Sequence, residues 1–309
     1  MTQPRNTVRR VTFGTLLVLG ICVVGVVLFV PGREVIEVFV RKVLWTRPAL
    51  SFFLAPDDFL KVELDDGRRY RLVAPGWAAL PMAPGGGCLP VRLYPVSGTV
   101  ALHDDGSWNV NEDFKQLTPR GLLRQVSKDR QDWKLPYVFL TLPGAFGSDG
   151  AIGDAVRFPE ILHRALDRLK TRYGRKTLCI SAESWAGVVL ARLIQDRSDI
   201  ACAIFISTPF ARNRDPYYDR LTKAGVYPPY NPIDHLEDII RHAPKRMIFV
   251  SDPQDQVVPF VEEQRPFIEA ILKAVPDAQF FAAGGVPPKH HDIPGLATGL
   301  LKDQCSTSP

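Results

Sequence analysis

"LCISAESWAG" (residues 178–187) is an apolar run that stops on Glu183-Ser184-Trp185 and continues at once in small residues. Ala182 stands two before Ser184, Ala186 two after, and Gly187 follows. A polar turn between a strand and a helix accounts for such a pattern. So does a nucleophile held on a sharp strand-to-helix turn, where side chains at those two positions would collide unless they are small. The usual frame is Gly-x-Ser-x-Gly, and alanines stand here in place of both glycines. A serine hydroxyl is a poor nucleophile without a base, and the base needs an acid to orient it. The choice between the two readings rests on what the chain supplies after Ser184.

Around this stretch, strand-like and helix-like segments alternate, the pattern of a mostly parallel α/β sheet flanked by helices. "LKVELDDGRRYRLVAP" (60–75) reads as a hairpin turned by Asp-Gly. Strands are expected at 98–103, 136–142, 176–181, 200–208, 246–252 and 278–284. Helices are expected near 114–128, over 188–196 and 260–274, and at about 295–304. In "FPEILHRALDRLKTRYG" (158–174), Ile161, Leu162, Ala165, Leu166, Leu169 and Tyr173 share one helical face, and Gly174 is the stop. Residues 75–90 read as a Pro/Gly-rich loop. Residues 209–244, rich in Pro, Tyr and Arg, form an irregular, lid-like insertion long enough to cover a site.

An acid and a base follow in order. "SDPQDQVVP" comes after the strand that ends at Ser251, and "GGVPPKHHDIPG" after the last strand. Asp255 is the first choice of acid and Asp252 the second, since Asp252 also suits a loop cap. The base is His291 or His290, with His291 preferred. His103, His163, His235 and His242 do not follow the right strand, and Ser148, Ser181 and Ser207 lack the small-residue frame.

With these residues in place, the region 60–305 resembles the α/β-hydrolase superfamily, and is similar to its esterase, lipase and prolyl-oligopeptidase-like branches. "VALHDDGSW" (100–108) resembles a strand followed by the loop that supplies one oxyanion donor. "LPGAFGSDG" (142–150) and "VSDPQDQVVP" (250–259) resemble the family's next loop and its acid-bearing loop. The resemblance implies a Ser184-His291-Asp255 triad, with the backbone N–H groups of Trp185 and Asp105 as the oxyanion hole. Asp104 departs from the family's glycine after His103. The implied activity is hydrolysis of carboxylic esters, with a small-molecule or lipid-like substrate and no metal or organic cofactor. A peptidase is a neighbouring alternative, and an inactive hydrolase fold serving as a binding module is the alternative from a different class. Trp185, Phe210, Tyr217, Tyr218, Tyr227 and Tyr230 suit either an apolar acyl pocket or plain packing. Arg212 and Arg214 suit an acidic group or a solvated loop.

The N-terminus carries a separate message. Val11 to Val30 is 20 residues without a charge, about the ~20 that cross a bilayer as a helix. Arg5, Arg9 and Arg10 precede it, and no small-residue cleavage site ends it. Residues 1–31 are therefore expected to be a leader and an uncleaved signal-anchor, with 32–59 a juxtamembrane segment. A short leader kept inside puts the 60–305 domain on the extracytoplasmic side, although Arg33, Arg41, Lys42 and Arg47 on the other flank blunt the positive-inside count.

Of the 38 basic residues, three lie in 1–31, which has no acid, leaving 35 basic against 33 acidic residues in the rest. That balance excludes a nucleic-acid footprint. Five cysteines are no disulfide framework for 309 residues. Cys22 lies in the apolar span, Cys179 and Cys202 read as buried thiols within strands, and Cys88 and Cys305 are the pair left open to bonding. No cysteine spacing suits zinc. The sequence leaves the oligomeric state unknown.

Overall fold

The Asp66-Gly67 pair turns the chain between β1 (Phe59–Glu63) and β2 (Arg69–Val73), which pair antiparallel with Phe59 opposite Val73. Gly67 has φ +82°, a conformation glycine adopts without a side-chain clash, and the Leu64 N–H closes the turn on the Arg68 carbonyl at 2.8 Å. The computed structural model describes residues 59–74, 87–94, 100–102, 108–110, 128, 137–145, 148–151, 153–212, 222–223, 229–293 and 299–301. All fall within one compact unit, Pro48–Pro309. The apolar run 11–30, its flanking segments and nearly all of the helix expected near 114–128 lie outside the described residues. No helix among the described residues is long and apolar enough to cross a membrane.

Six strands form the central sheet: β3 (Leu89–Leu93), β6 (Val138–Leu140), β7 (Leu178–Glu183), β8 (Ile200–Ile206), β9 (Arg246–Ser251) and β10 (Gln279–Ala282). Their spatial order is β10-β9-β8-β7-β3-β6, and every neighbouring pair is parallel. The helices are α1 (Asp154–Arg157), α2 (Glu160–Tyr173), α3 (Trp185–Asp196), α4 (Leu236–Arg241) and α5 (Arg265–Ala274). Parallel strands covered on both faces become near-continuous apolar runs, which is why β7, β8 and β9 are buried almost throughout. On α2 the expected face is buried from Ile161 to Leu169, with Tyr173 half-buried. Gly174 ends that helix in the left-handed conformation, φ +60°, with its N–H turned back to the Lys170 and Thr171 carbonyls.

Several expectations need correction. The loop expected over 75–90 gives way at Leu89 to β3, a strand between β7 and β6. Pro90 survives there for a specific reason. The Leu89 N–H points toward β7, to the Thr177 carbonyl at 2.8 Å, so the donor that Pro90 lacks would face β6, whose pairing begins only at Val91. The strand expected at 98–103 does not join the sheet. As β4 (Val100–Leu102) it pairs antiparallel with β5 (Trp108–Val110) in a separate two-stranded sheet. The irregular stretch 209–244 contains a 3₁₀ turn, Pro232–His235, that leads into α4.

Cysteine pairing differs too. Cys88 bonds Cys179, not Cys305, with Cα atoms 5.6 Å apart. The link joins the N-terminal ends of β3 and β7, and Cys202 is the free, buried neighbour opposite Cys179 on β8. Phe210 packs into the core beneath α5, its ring stacked on Phe267 at 4.2 Å and edge-on to Phe205 at 5.3 Å.

Candidate active site

The chain runs outward from β3 to β6, then crosses back to β7 and continues to β8. The loops leaving β3 and β7 therefore diverge to opposite sides. In open parallel sheets the crevice at such a reversal, at the carboxyl ends of the strands, is where ligands bind. Ser184 sits at that point, between the end of β7 and the first residue of α3.

Its backbone is held at φ +53°, ψ −128°, a sparsely populated region for a residue with a β-carbon. Such a conformation costs on the order of 1–3 kcal/mol and persists only where its surroundings fix it. Here the Ser184 N–H bonds the Ile206 carbonyl on β8 at 2.8 Å, and its own carbonyl accepts the Gly187 N–H at 2.9 Å. Ala182 and Ala186 are fully packed. The tightest contact falls one residue later, because a β-carbon on Gly187 would stand 2.0 Å from Thr208 Oγ1. The turn thus brings α3 directly onto the end of β8.

The loops after β9 and β10 pair residue by residue. His291 Nδ1 lies 2.9 Å from Asp255 Oδ2, and both side chains are buried. A carboxylate only accepts hydrogen bonds, so Nδ1 carries the proton, and in the neutral imidazole Nε2 is the nitrogen with the lone pair. Asp255 Oδ1 also accepts the N–H groups of Val257 and Val258, each at 2.9 Å. Beneath it lies Gln264, fully buried in the π turn Phe260–Gln264. Gln264 donates to the Val258 carbonyl at 2.6 Å, accepts the Ser251 hydroxyl, and reaches Asp255 Oδ2 at 3.4 Å. His290 Nδ1 lies 2.9 Å from Asp252 Oδ2. Burial raises the Asp252 carboxyl, but the N–H donors of Gly285 and Gln254, together with His290, outweigh it and hold it below the ordinary carboxylate value.

The loop carrying His291 is tied to the neighbourhood of Ser184. Ser207, next to the Ile206 that accepts the Ser184 N–H, donates its hydroxyl to the His291 carbonyl at 2.9 Å. His291 Nε2 is buried and has no hydrogen-bond partner among the described residues. Glu183 lies between these parts. Its carboxylate is 3.6 Å from Arg92 of β3 and accepts the Ile293 N–H. Burial raises its pKa, and the charge of Arg92 pulls it back only in part.

Trp185 is buried, with the Arg212 guanidinium over its ring at 4.2 Å. Arg212 donates to the Tyr230 carbonyl and is itself buried, so it belongs to no solvated loop. The Trp185 N–H opens the first turn of α3, where helix N–H groups point out of the helix end. Asp105, Arg214, Tyr217, Tyr218 and Tyr227 lie outside the described residues. The strand before Asp105, β4, pairs with β5 outside the central sheet. The strand end beside Ser184 on that side is β3, at Tyr94. Among the described residues no cluster of three or more His, Cys, Asp or Glu is arranged to hold a metal ion.

Sequence reading missed Ser207, Gln264 and the second His–Asp pair. Gln264 had no signal, being one polar residue in a helix-like run. Ser207 had one, a hydroxyl at the end of an apolar strand beside the strand that leads to Ser184.

No family model matches the sequence, and no curated protein matches it. Solved structures do resemble the fold. The α/β hydrolase GrgF from Penicillium sp. sh18 aligns with a TM-score of 0.52 at 13% identity, over 81% of this chain and 99% of its own. DcsB, solved in complex with its substrate analogue, aligns at 0.53 and 11% identity, over 81% of this chain and 99% of its own. The Pyrococcus furiosus esterase PF2001 aligns at 0.49 and 13% identity, over 73% and 80%. With its parallel six-stranded sheet, antiparallel leading hairpin and strand-to-helix turn at Ser184, the chain has the α/β-hydrolase fold.

Proposed function

We propose that the protein is a serine hydrolase acting on carboxylic esters. The observation that supports this most is the single stretch Ile206-Ser207, which holds the Ser184 N–H with one residue and the His291 carbonyl with the next. In this reading His291 Nε2 takes the Ser184 proton as Oγ bonds to the substrate carbonyl carbon, and Asp255 stabilises the imidazolium through Nδ1–H. The Trp185 N–H stabilises the developing oxyanion, a donor of the kind that lowers a barrier by roughly 3–4 kcal/mol. His291 then returns its proton to the leaving alcohol, and water, deprotonated by the same nitrogen, releases the acid and restores the Ser184 hydroxyl. Esters are favoured over amides because an alkoxide leaves with less help than an amine.

The domain is proposed to be anchored by the 11–30 segment and to face the extracytoplasmic side. The apolar run supports the anchor, and the Cys88–Cys179 bond suits an oxidising compartment. A reporter fused to each terminus tests the topology. Turnover of p-nitrophenyl esters of graded chain length by the full chain tests the chemistry. Turnover is expected in the wild type and lost in Ser184→Ala and His291→Ala, and absence of turnover across the series opposes the reading.

A further inference from the structure

Each histidine of the His290-His291 pair has its own carboxylate. Asp255 takes His291, and Asp252, three residues earlier in the same loop, takes His290 at 2.9 Å. The Asp252 side chain is 6% exposed, and its two oxygens join three stretches of chain. Oδ1 accepts the Gln254 N–H at 2.8 Å within its own turn. Oδ2 accepts the Gly285 N–H at 2.7 Å at the start of the base loop, and meets the His290 ring at its end. Main-chain bonds close the same loop. His290 N–H reaches the Val286 carbonyl, Val286 N–H reaches the Asp292 carbonyl, and Gln256 N–H reaches the Lys289 carbonyl, each at 2.9 Å.

Inside this loop His290 has φ +58°, the left-handed region that a residue with a β-carbon disfavours. The turn is packed hard against the neighbouring strand of the loop. A β-carbon on Gly285 would stand 2.2 Å from the His290 carbonyl oxygen. The left-handed kink at His290 sets the direction in which the next residue, His291, leaves the loop.

We propose that Asp252 and His290 are a positioning pair, whose hydrogen bond holds His290 in the left-handed conformation and so aims the His291 ring at Asp255 and Ser184. This rests on the assignment of Ser184, His291 and Asp255 as the catalytic set. In this arrangement Nδ1 of His290 is held by Asp252, and His290 acts through the backbone it fixes.

The test is a set of variants of the full chain, assayed with p-nitrophenyl butyrate. His290→Ala removes the ring and leaves a disfavoured backbone, so kcat is expected to fall about 10- to 100-fold with KM unchanged, the scale of a misplaced catalytic group. His290→Gly removes the same ring but accepts the left-handed backbone freely, and recovers most of the loss. His290→Asn, which tolerates that backbone and keeps an N–H donor for Asp252, recovers it as well. Asp252→Asn keeps the shape, loses the anchoring charge and lowers kcat as His290→Ala does, so it carries the test if His290→Ala does not fold.

Wild-type kcat in His290→Ala or in Asp252→Asn overturns the proposal. So does a His290→Gly variant as inactive as His290→Ala while His291→Ala stays active, because His290 is then the base. If the wild type neither turns over ester nor reacts with a fluorophosphonate, the hydrolase reading fails, and imidazole ¹⁵N spectra decide this proposal alone. The signature of the His291 Nδ1–H bond to Asp255 is then lost in His290→Ala and regained in His290→Gly. An unchanged signature in His290→Ala overturns it.

Discussion

The Ser207 hydroxyl donates to the His291 carbonyl at 2.9 Å. This one side chain couples the loop after β10 to the end of β8, beside Ser184, 84 residues earlier in the chain. His291 is thus placed by a buried hydroxyl just past β8 as well as by Asp255. Ser207→Ala removes a bond worth about 1 kcal/mol. If that loss falls wholly on the transition state, kcat drops about fivefold at constant KM. Steady-state kinetics on the ester substrate check it.

The approach of α3 to β8 sets a second expectation. A methyl group on Gly187 overlaps Thr208 Oγ1 at 2.0 Å and its Cβ at 2.8 Å. Gly187→Ala is expected to cost roughly 1–3 kcal/mol, the range for overpacking a filled site. Thr208→Ala in the same chain should recover part of that. Denaturant unfolding of the single and double variants measures both.

Asp252 gives a pH-dependent signature. Its folded-state pKa lies below the ordinary aspartate value, so the unfolded chain takes up the proton first as pH falls. Its contribution is therefore complete above the ordinary value and is lost on acidification through the folded one. Asp252→Asn is expected to destabilise the fold by roughly 1–3 kcal/mol at pH 7. The gap to wild type should close progressively below about pH 4. Urea unfolding across pH 3–7 reads this directly.

The Cys88–Cys179 bond closes a loop with a sequence separation of 91. Cross-links of this kind typically contribute about 2–4 kcal/mol, so reduction should lower Tm by roughly 5–15 °C. Cys202 should not join the chemistry while the domain is folded, since burial pushes its thiol up to about 12. Differential alkylation before and after unfolding, followed by peptide mapping, checks both statements. Alkylation of Cys202 in the folded chain contradicts the second.

What the sequence made legible was whatever is enforced locally. Asp66-Gly67 announces its turn because few residues accept that backbone, and the α2 face is written in its apolar spacing. Ser184 is legible because a strained turn excludes large neighbours. The parts that resisted depend on contacts distant in the chain. Leu89–Leu93 reads as loop because Pro90 argues against a central strand. Only the strand order shows that its missing donor faces the side where β6 has not begun. Val100–Leu102 has the composition of a sheet strand, and its partner, Trp108–Val110, is what takes it out of the central sheet. The partner of Cys179 cannot be guessed before β3 is known to lie beside β7. The choice between His290 and His291 depends on which carboxylate each ring meets, Asp252 or Asp255, which their adjacent places in the sequence do not disclose.

The central claim is that Ser184 is a nucleophile activated by His291, and covalent labelling tests it most directly. The full chain is treated with a fluorophosphonate, digested, and the modified peptide sequenced by mass spectrometry. The account predicts one adduct on Ser184, abolished in Ser184→Ala and strongly slowed in His291→Ala. An adduct on a different residue, or labelling of Ser184→Ala at the wild-type rate, contradicts it.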